Sequence, residues 1–112
     1  MKKYLVLYRS TVSAGDQMAA ATPEQGKAEM DAWMQWAQRS GSAILDLGSP
    51  LGSPQRLTGA TVSTAGDAQI GGYSILQATD DAALQALLAA HPHFRAPGGS
   101  IEVFAFLPMP GM

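Results

Sequence analysis

The sequence predicts an α+β fold in which one sheet carries two helices on the same face. Three observations predict it. Strand-like runs and helical stripes alternate in the order β-α-β-(β)-β-α-β. Two of the stripes are long enough to be crossovers over a single sheet. The last strand-like run is apolar on both of its faces.

The first run, Tyr4 to Arg9, is aliphatic and aromatic on both faces, as in a strand covered on two sides. It follows two lysines, and five apolar residues precede Arg9. That is too short for a signal-peptide core, so the stretch reads as a strand. Ser10 to Ala21 is small and polar and reads as a loop. Thr22 opens a helix. Pro23 fits its first position, and Gln25 stands three residues on, where a capping box needs it. Met30, Trp33, Met34 and Ala37 follow at helical spacing, Trp36 widens the stripe, and Gly41 stops it.

"SAILDLG" (42–48) is a short strand. In "GSPLGSPQRLTG" the triplet Gly48-Ser49-Pro50 returns as Gly52-Ser53-Pro54, which reads as a surface loop or, alternatively, a lid over a site. "ATVSTAGDAQIGG" reads as a strand turning at Gly66-Asp67, and "YSILQAT" (73–79) as a clearer strand. Asp80 or Thr79 caps a second helix, with Leu84, Leu87, Leu88 and His91 on one face. Pro92 ends it, since the residue before a proline leaves the helical region. From Ser100 to Leu107 the pattern alternates cleanly. Ile101, Val103, Ala105 and Leu107 take one face, Glu102, Phe104 and Phe106 the other. Pro108 and Pro110 then stop the strand.

This order is a ferredoxin-like split βαβ layout, a single domain over residues 1–112 with both helices on one face. The face bearing Phe104 and Phe106 is left uncovered, and its simplest partner is the same face of a second copy. The expectation is a homodimer in which two sheets form an α+β barrel. Composition agrees. The chain is 46% hydrophobic but only 14% charged, against roughly 25% in ordinary soluble domains. A net charge of −2 with seven scattered Lys and Arg gives no basic patch, which argues against nucleic acid. With no cysteine there is no disulfide, no thiolate chemistry and no cysteine-held metal. No apolar run reaches membrane-spanning length, so no membrane partner is expected and the expected location is the cytoplasm.

"MKKYLVLY", "WAQRSGSAILDLGSPL", "GGYSILQATDDAALQALLAAHP" and "GGSIEVFAFLPM" together resemble the YCII-related (YciI-like, DGPF) family over nearly the whole chain. The resemblance implies a small dimeric α+β barrel without a prosthetic group. Some members are lyase-type enzymes, among them a dehydrochlorinase of chlorinated hydroxyquinols, and many have no assigned reaction. Many carry a first-helix histidine, eleven residues before the glycine that ends that helix, with a downstream aspartate as partner. Here that position is Met30, which cannot move a proton. The family's acid–base pair therefore does not carry over.

His91 is then the foremost acid–base candidate. It reads either as a polar helix end favoured by the helix dipole or as a general acid or base near Gly98-Gly99, where a backbone can approach a ligand. As partners, Glu102 lies beside two phenylalanines, where a carboxyl would have a raised pKa, and Asp46 faces away from Leu45 and Leu47. Either is equally readable as a strand-edge charge. Arg9 could pair with Asp46 or Glu102, or clamp an anion. Tyr8 and Trp33 are core residues or the lining of an aromatic pocket. His91 and His93 form a poor metal pair because Pro92 separates them, so no metal and no cofactor are expected. Two functions remain. One is a cofactor-free lyase- or isomerase-type enzyme acting on a small aromatic or anionic substrate by proton transfer. The other is a non-catalytic dimeric module that binds a small ligand or a protein.

Overall fold

The computed structural model describes residues 1–64 and 70–111. The described residues form, in chain order, β1 (Lys2–Arg9), α1 (Ala14–Ala20), α2 (Pro23–Ser40), β2 (Ile44–Pro50), β3 (Gln55–Thr58), β4 (Thr61–Thr64), β5 (Ile70–Ala78), α3 (Asp81–Leu88) and β6 (Ser100–Ala105). The main sheet is antiparallel in the order β2-β5-β1-β6, the ferredoxin-like order, and β3-β4 is a separate hairpin. Among the described residues no helix is long and apolar enough to cross a membrane.

The pleat decides which side chains enter the core. Tyr4, Val6 and Tyr8 of β1 are buried, as are Ser74, Leu76 and Ala78 of β5. Both helices press on this one face. Trp36 of α2 and Leu84 and Leu88 of α3 join the same cluster, with Ile101 packed at its margin. Trp36 also ties the two helices together, its indole N–H donating to the Leu87 carbonyl at 3.1 Å. Neither α2 nor α3 covers the opposite face, although α1 meets β5 at Gly71. There Leu5 pairs with Phe104 and Leu7 with Glu102, and Phe104 and Phe106 are half exposed.

The expected caps form. The Thr22 hydroxyl accepts from the Gln25 backbone N–H while the Gln25 side chain accepts from the Thr22 N–H. Asp80, rather than Thr79, caps α3. Other readings need correction. The Ser10–Ala21 loop holds the seven-residue helix α1, capped by Ser13; none of its residues is buried, so no apolar stripe betrays it. The Gly-Ser-Pro segment is not all loop. Strand β2 runs on to Pro50, and Gln55–Thr58 pairs with Thr61–Thr64 around Gly59-Ala60. The strand at Thr61 therefore turns back at Gly59-Ala60 and pairs upstream. The turn assigned to Gly66-Asp67 lies outside the described residues.

Candidate functional site

The sequence-predicted residues fall into two groups on opposite sides of the sheet. The first group surrounds His91. This residue is not at a helix end. Helix α3 stops at Leu88, and His91 instead caps the short 3-10 turn Pro92–Arg95, its Nδ1 accepting from the His93 backbone N–H at 2.9 Å. The ring is 2% exposed and sits in an aromatic box. It stacks on Tyr8 at 4.9 Å and meets Trp33 and Trp36 edge-on at 4.5 and 4.3 Å. With Nδ1 accepting, the proton sits on Nε2, which has no hydrogen-bond partner among the described residues.

Burial, and to a lesser degree the nearby His93, holds the His91 pKa down at about 3. The residue read as a polar helix end is thus a neutral core group. Helix-dipole stabilisation does not apply, because the ring lies beyond the last turn of α3 and away from water.

Tyr8 continues the box inward. Its hydroxyl donates to Ser74 Oγ at 2.8 Å, and Ser74 donates on to the Leu47 carbonyl at 2.6 Å. Burial raises the Tyr8 pKa to about 12. Tyr8 is 3% exposed, so it packs the core and lines no open pocket. Tyr8→Phe should cost about 1 kcal/mol of stability, since one buried hydroxyl bond is lost while Ser74 keeps its own acceptor. A denaturant titration checks this, and an unchanged midpoint would mean the hydroxyl contributes nothing. Trp33, only half buried, joins the box from α2 and anchors its N–H on Glu29 at 3.2 Å.

The second group lies on the uncovered face. Arg9 Nη1 meets Glu102 Oε1 at 2.6 Å, one of the three partners open to Arg9 from the sequence. Asp46 accepts from the Tyr73 hydroxyl at 3.2 Å and from the Gly48 N–H at 2.8 Å. The bond to Asp46 raises the Tyr73 pKa. These two polar pairs are set among Leu5, Leu7, Ile75, Phe104 and Phe106, in a pattern fixed by the alternation of β1, β5 and β6. Arg9 also touches the first group through its backbone, where His93 Nε2–H donates to the Arg9 carbonyl at 2.6 Å.

The structure does not bring His91 together with Glu102 or Asp46, because the sheet stands between them. A base on one side cannot share a proton with a carboxylate on the other. Gly98 has a structural role of its own, at φ +59°. A side chain there would come within 2.6 Å of the Thr11 methyl, so its role is to let the turn before β6 close on Thr11. Sequence reasoning passed over the part of Tyr73 in the open-face cluster and of Trp36 in the His91 box. The signal for Tyr73 is its alternation with Ser74 along β5, which puts it on the open face. No protein-family model and no curated protein matches this chain.

Proposed function

We propose that this chain is a homodimeric α+β barrel related to the YCII-related proteins. In this reading it binds a small aromatic or anionic molecule in the space its two sheets enclose. The observation that carries the reading is the uncovered face of the sheet. The radius of gyration is 15.6 Å, whereas a compact chain of this length has about 13 Å. The accessible surface is 7517 Å², whereas a folded monomer of this mass exposes about 5,900 Å². The excess of about 1,600 Å² per copy falls within what homodimers bury.

Enclosing that face turns its polar pairs into recognition groups. The Arg9 guanidinium suits a carboxylate, the Tyr73 hydroxyl a second polar atom, and the phenylalanines an apolar body. Binding is favoured over proton transfer because the one histidine with catalytic promise is sealed, neutral and on the other side. A lyase- or isomerase-type reaction here would have to take its base from Glu102 or Asp46.

Sedimentation at micromolar concentration should give a dimer. Phe104→Glu should weaken it by about a hundredfold, since a carboxylate would be buried against its own copy. Aromatic carboxylates such as benzoates should raise the melting temperature of the wild type by mass action but not that of Arg9→Met. A wild type that sediments as a monomer, or that no aromatic carboxylate stabilises, would sink the proposal.

A further inference from the structure

Two apolar features of the molecule, a hairpin and a groove on the helix side of the sheet, have no partner among the described residues. The first is the β3-β4 hairpin. Its pairing is regular, with Leu57 opposite Val62, yet residues 51–63 are all exposed, Leu57 by 67% and Val62 by 59%. A two-stranded hairpin alone in water is marginal at best, and one cross-strand pair adds less than about 1 kcal/mol. A hairpin of this kind needs a surface to lie on.

The second feature is a groove between α3 and β6, the outermost strand beside β1. It holds about 380 Å³ and is lined by Leu84, Leu88, Ile101 and Val103, with Tyr4 and Asp81 at one end. It continues into a hollow of about 200 Å³ ending at Phe94. Val103 remains 39% exposed on its floor.

We propose that the occupant of this groove is the β3-β4 hairpin of a second copy, so that each subunit of the dimer clasps the other. The proposal rests on the dimer reading above. The hairpin follows β2 at one edge of the sheet and the groove lies at β6, the other edge. When two open faces meet about a two-fold axis parallel to the strands, the strand order of one copy runs opposite to that of the other. The β2 edge of each copy then lies beneath its partner's β6 edge. Packed sheets are about 10 Å apart, and four extended residues span about 13 Å. With residues 51–54 ahead of it, which add about 13 Å more, the hairpin is long enough to pass around β6 and reach the groove on its far side. Both contacts form at once under the two-fold axis, which closes the assembly at two copies.

The absence of cysteine makes the test clean. Leu57→Cys and Val103→Cys are prepared as separate proteins, mixed, and treated with a short bifunctional maleimide. The expected product is a covalent heterodimer joining position 57 of one chain to position 103 of the other, identified by peptide mass spectrometry. In parallel, Leu57→Thr with Val62→Thr keeps the strand propensity while removing the apolar pair. It should raise the dimer dissociation constant by about tenfold or more and leave the circular dichroism spectrum unchanged. A dimer that gives no 57–103 product and is unaffected by the threonine pair overturns the clasp and leaves the dimer standing. A wild type that stays monomeric refutes the dimer reading as well.

Discussion

Gly48→Ala should destabilise this protein by about 4 kcal/mol or more, a large share of the roughly 5–15 kcal/mol that holds a domain of this kind together. Gly48 has φ +88°, in the left-handed region that side chains avoid. It also sits where β2 shifts register against β5, between Asp46 and Ser49. A Cβ built there would lie 1.6 Å from the Tyr73 carbonyl oxygen and 2.6 Å from its carbon. Those atoms are backbone in the centre of the sheet and cannot turn aside. Relief means pulling β2 away from β5, which breaks the Tyr73–Asp46 contact too. Gly26→Ala is the control. It lies inside α2 with nothing within 4 Å of the added carbon, and should stabilise by about 0.5–1 kcal/mol through helix propensity. Urea unfolding of the two variants beside the wild type decides the matter. Equal stability of Gly48→Ala and wild type would show that the sheet yields at this point.

Acid should unfold the wild type through His91. Its pKa is about 3 in the folded protein and about 6.5 in an unfolded chain. Above pH 6.5 the ring is neutral in both states and stability does not depend on it. As pH falls from 6.5 the unfolded chain takes up a proton that the folded one refuses, and stability is lost progressively until about pH 3. The total loss from this one ring is about 5 kcal/mol. His91→Phe keeps the aromatic packing but leaves the His93 N–H without its acceptor, so it should be about 1–2 kcal/mol less stable at pH 7.5. Its stability should nonetheless fall less steeply than the wild type's between pH 6.5 and 3, and the two curves should converge or cross. Parallel curves from urea titrations across that range would show that His91 is not the acid-sensitive group.

How much of this was readable from residues alone depends on burial. Helix α2 is legible because it carries both a capping box and an apolar stripe, of which Trp33, Trp36 and Ala37 meet the core while Met30 and Met34 stay exposed. Helix α1 has neither stripe nor buried residue, and the hairpin spends Leu57 and Val62 on solvent, so the periodicities that mark core-facing elements are absent from both. At the site, the stripe of Leu84, Leu88 and His91 does point into the core, and all three are buried. The alternation of β6 likewise groups Glu102 with Phe104. Taken together, these two patterns already separate His91 from Glu102 by the thickness of the sheet. What the residues do not reveal is how completely Tyr8, Trp33 and Trp36 close around His91. Those contacts join β1, α2 and the turn after α3, and no local spacing encodes them.

The two margins of the sheet are unlike one another. β2 carries two register shifts and ends on Pro50, so it offers a broken ladder to any incoming strand. β6 pairs with β1 without interruption from Ser100 to Ala105, and its outward side keeps the full complement of strand donors and acceptors. Fibrillar growth by edge addition needs two receptive margins on every molecule, one to join and one to be joined. In this sheet only one margin is receptive, so edge-to-edge stacking through it stops after a single pairing, and the four-stranded sheet carries its own terminator against amyloid-like extension.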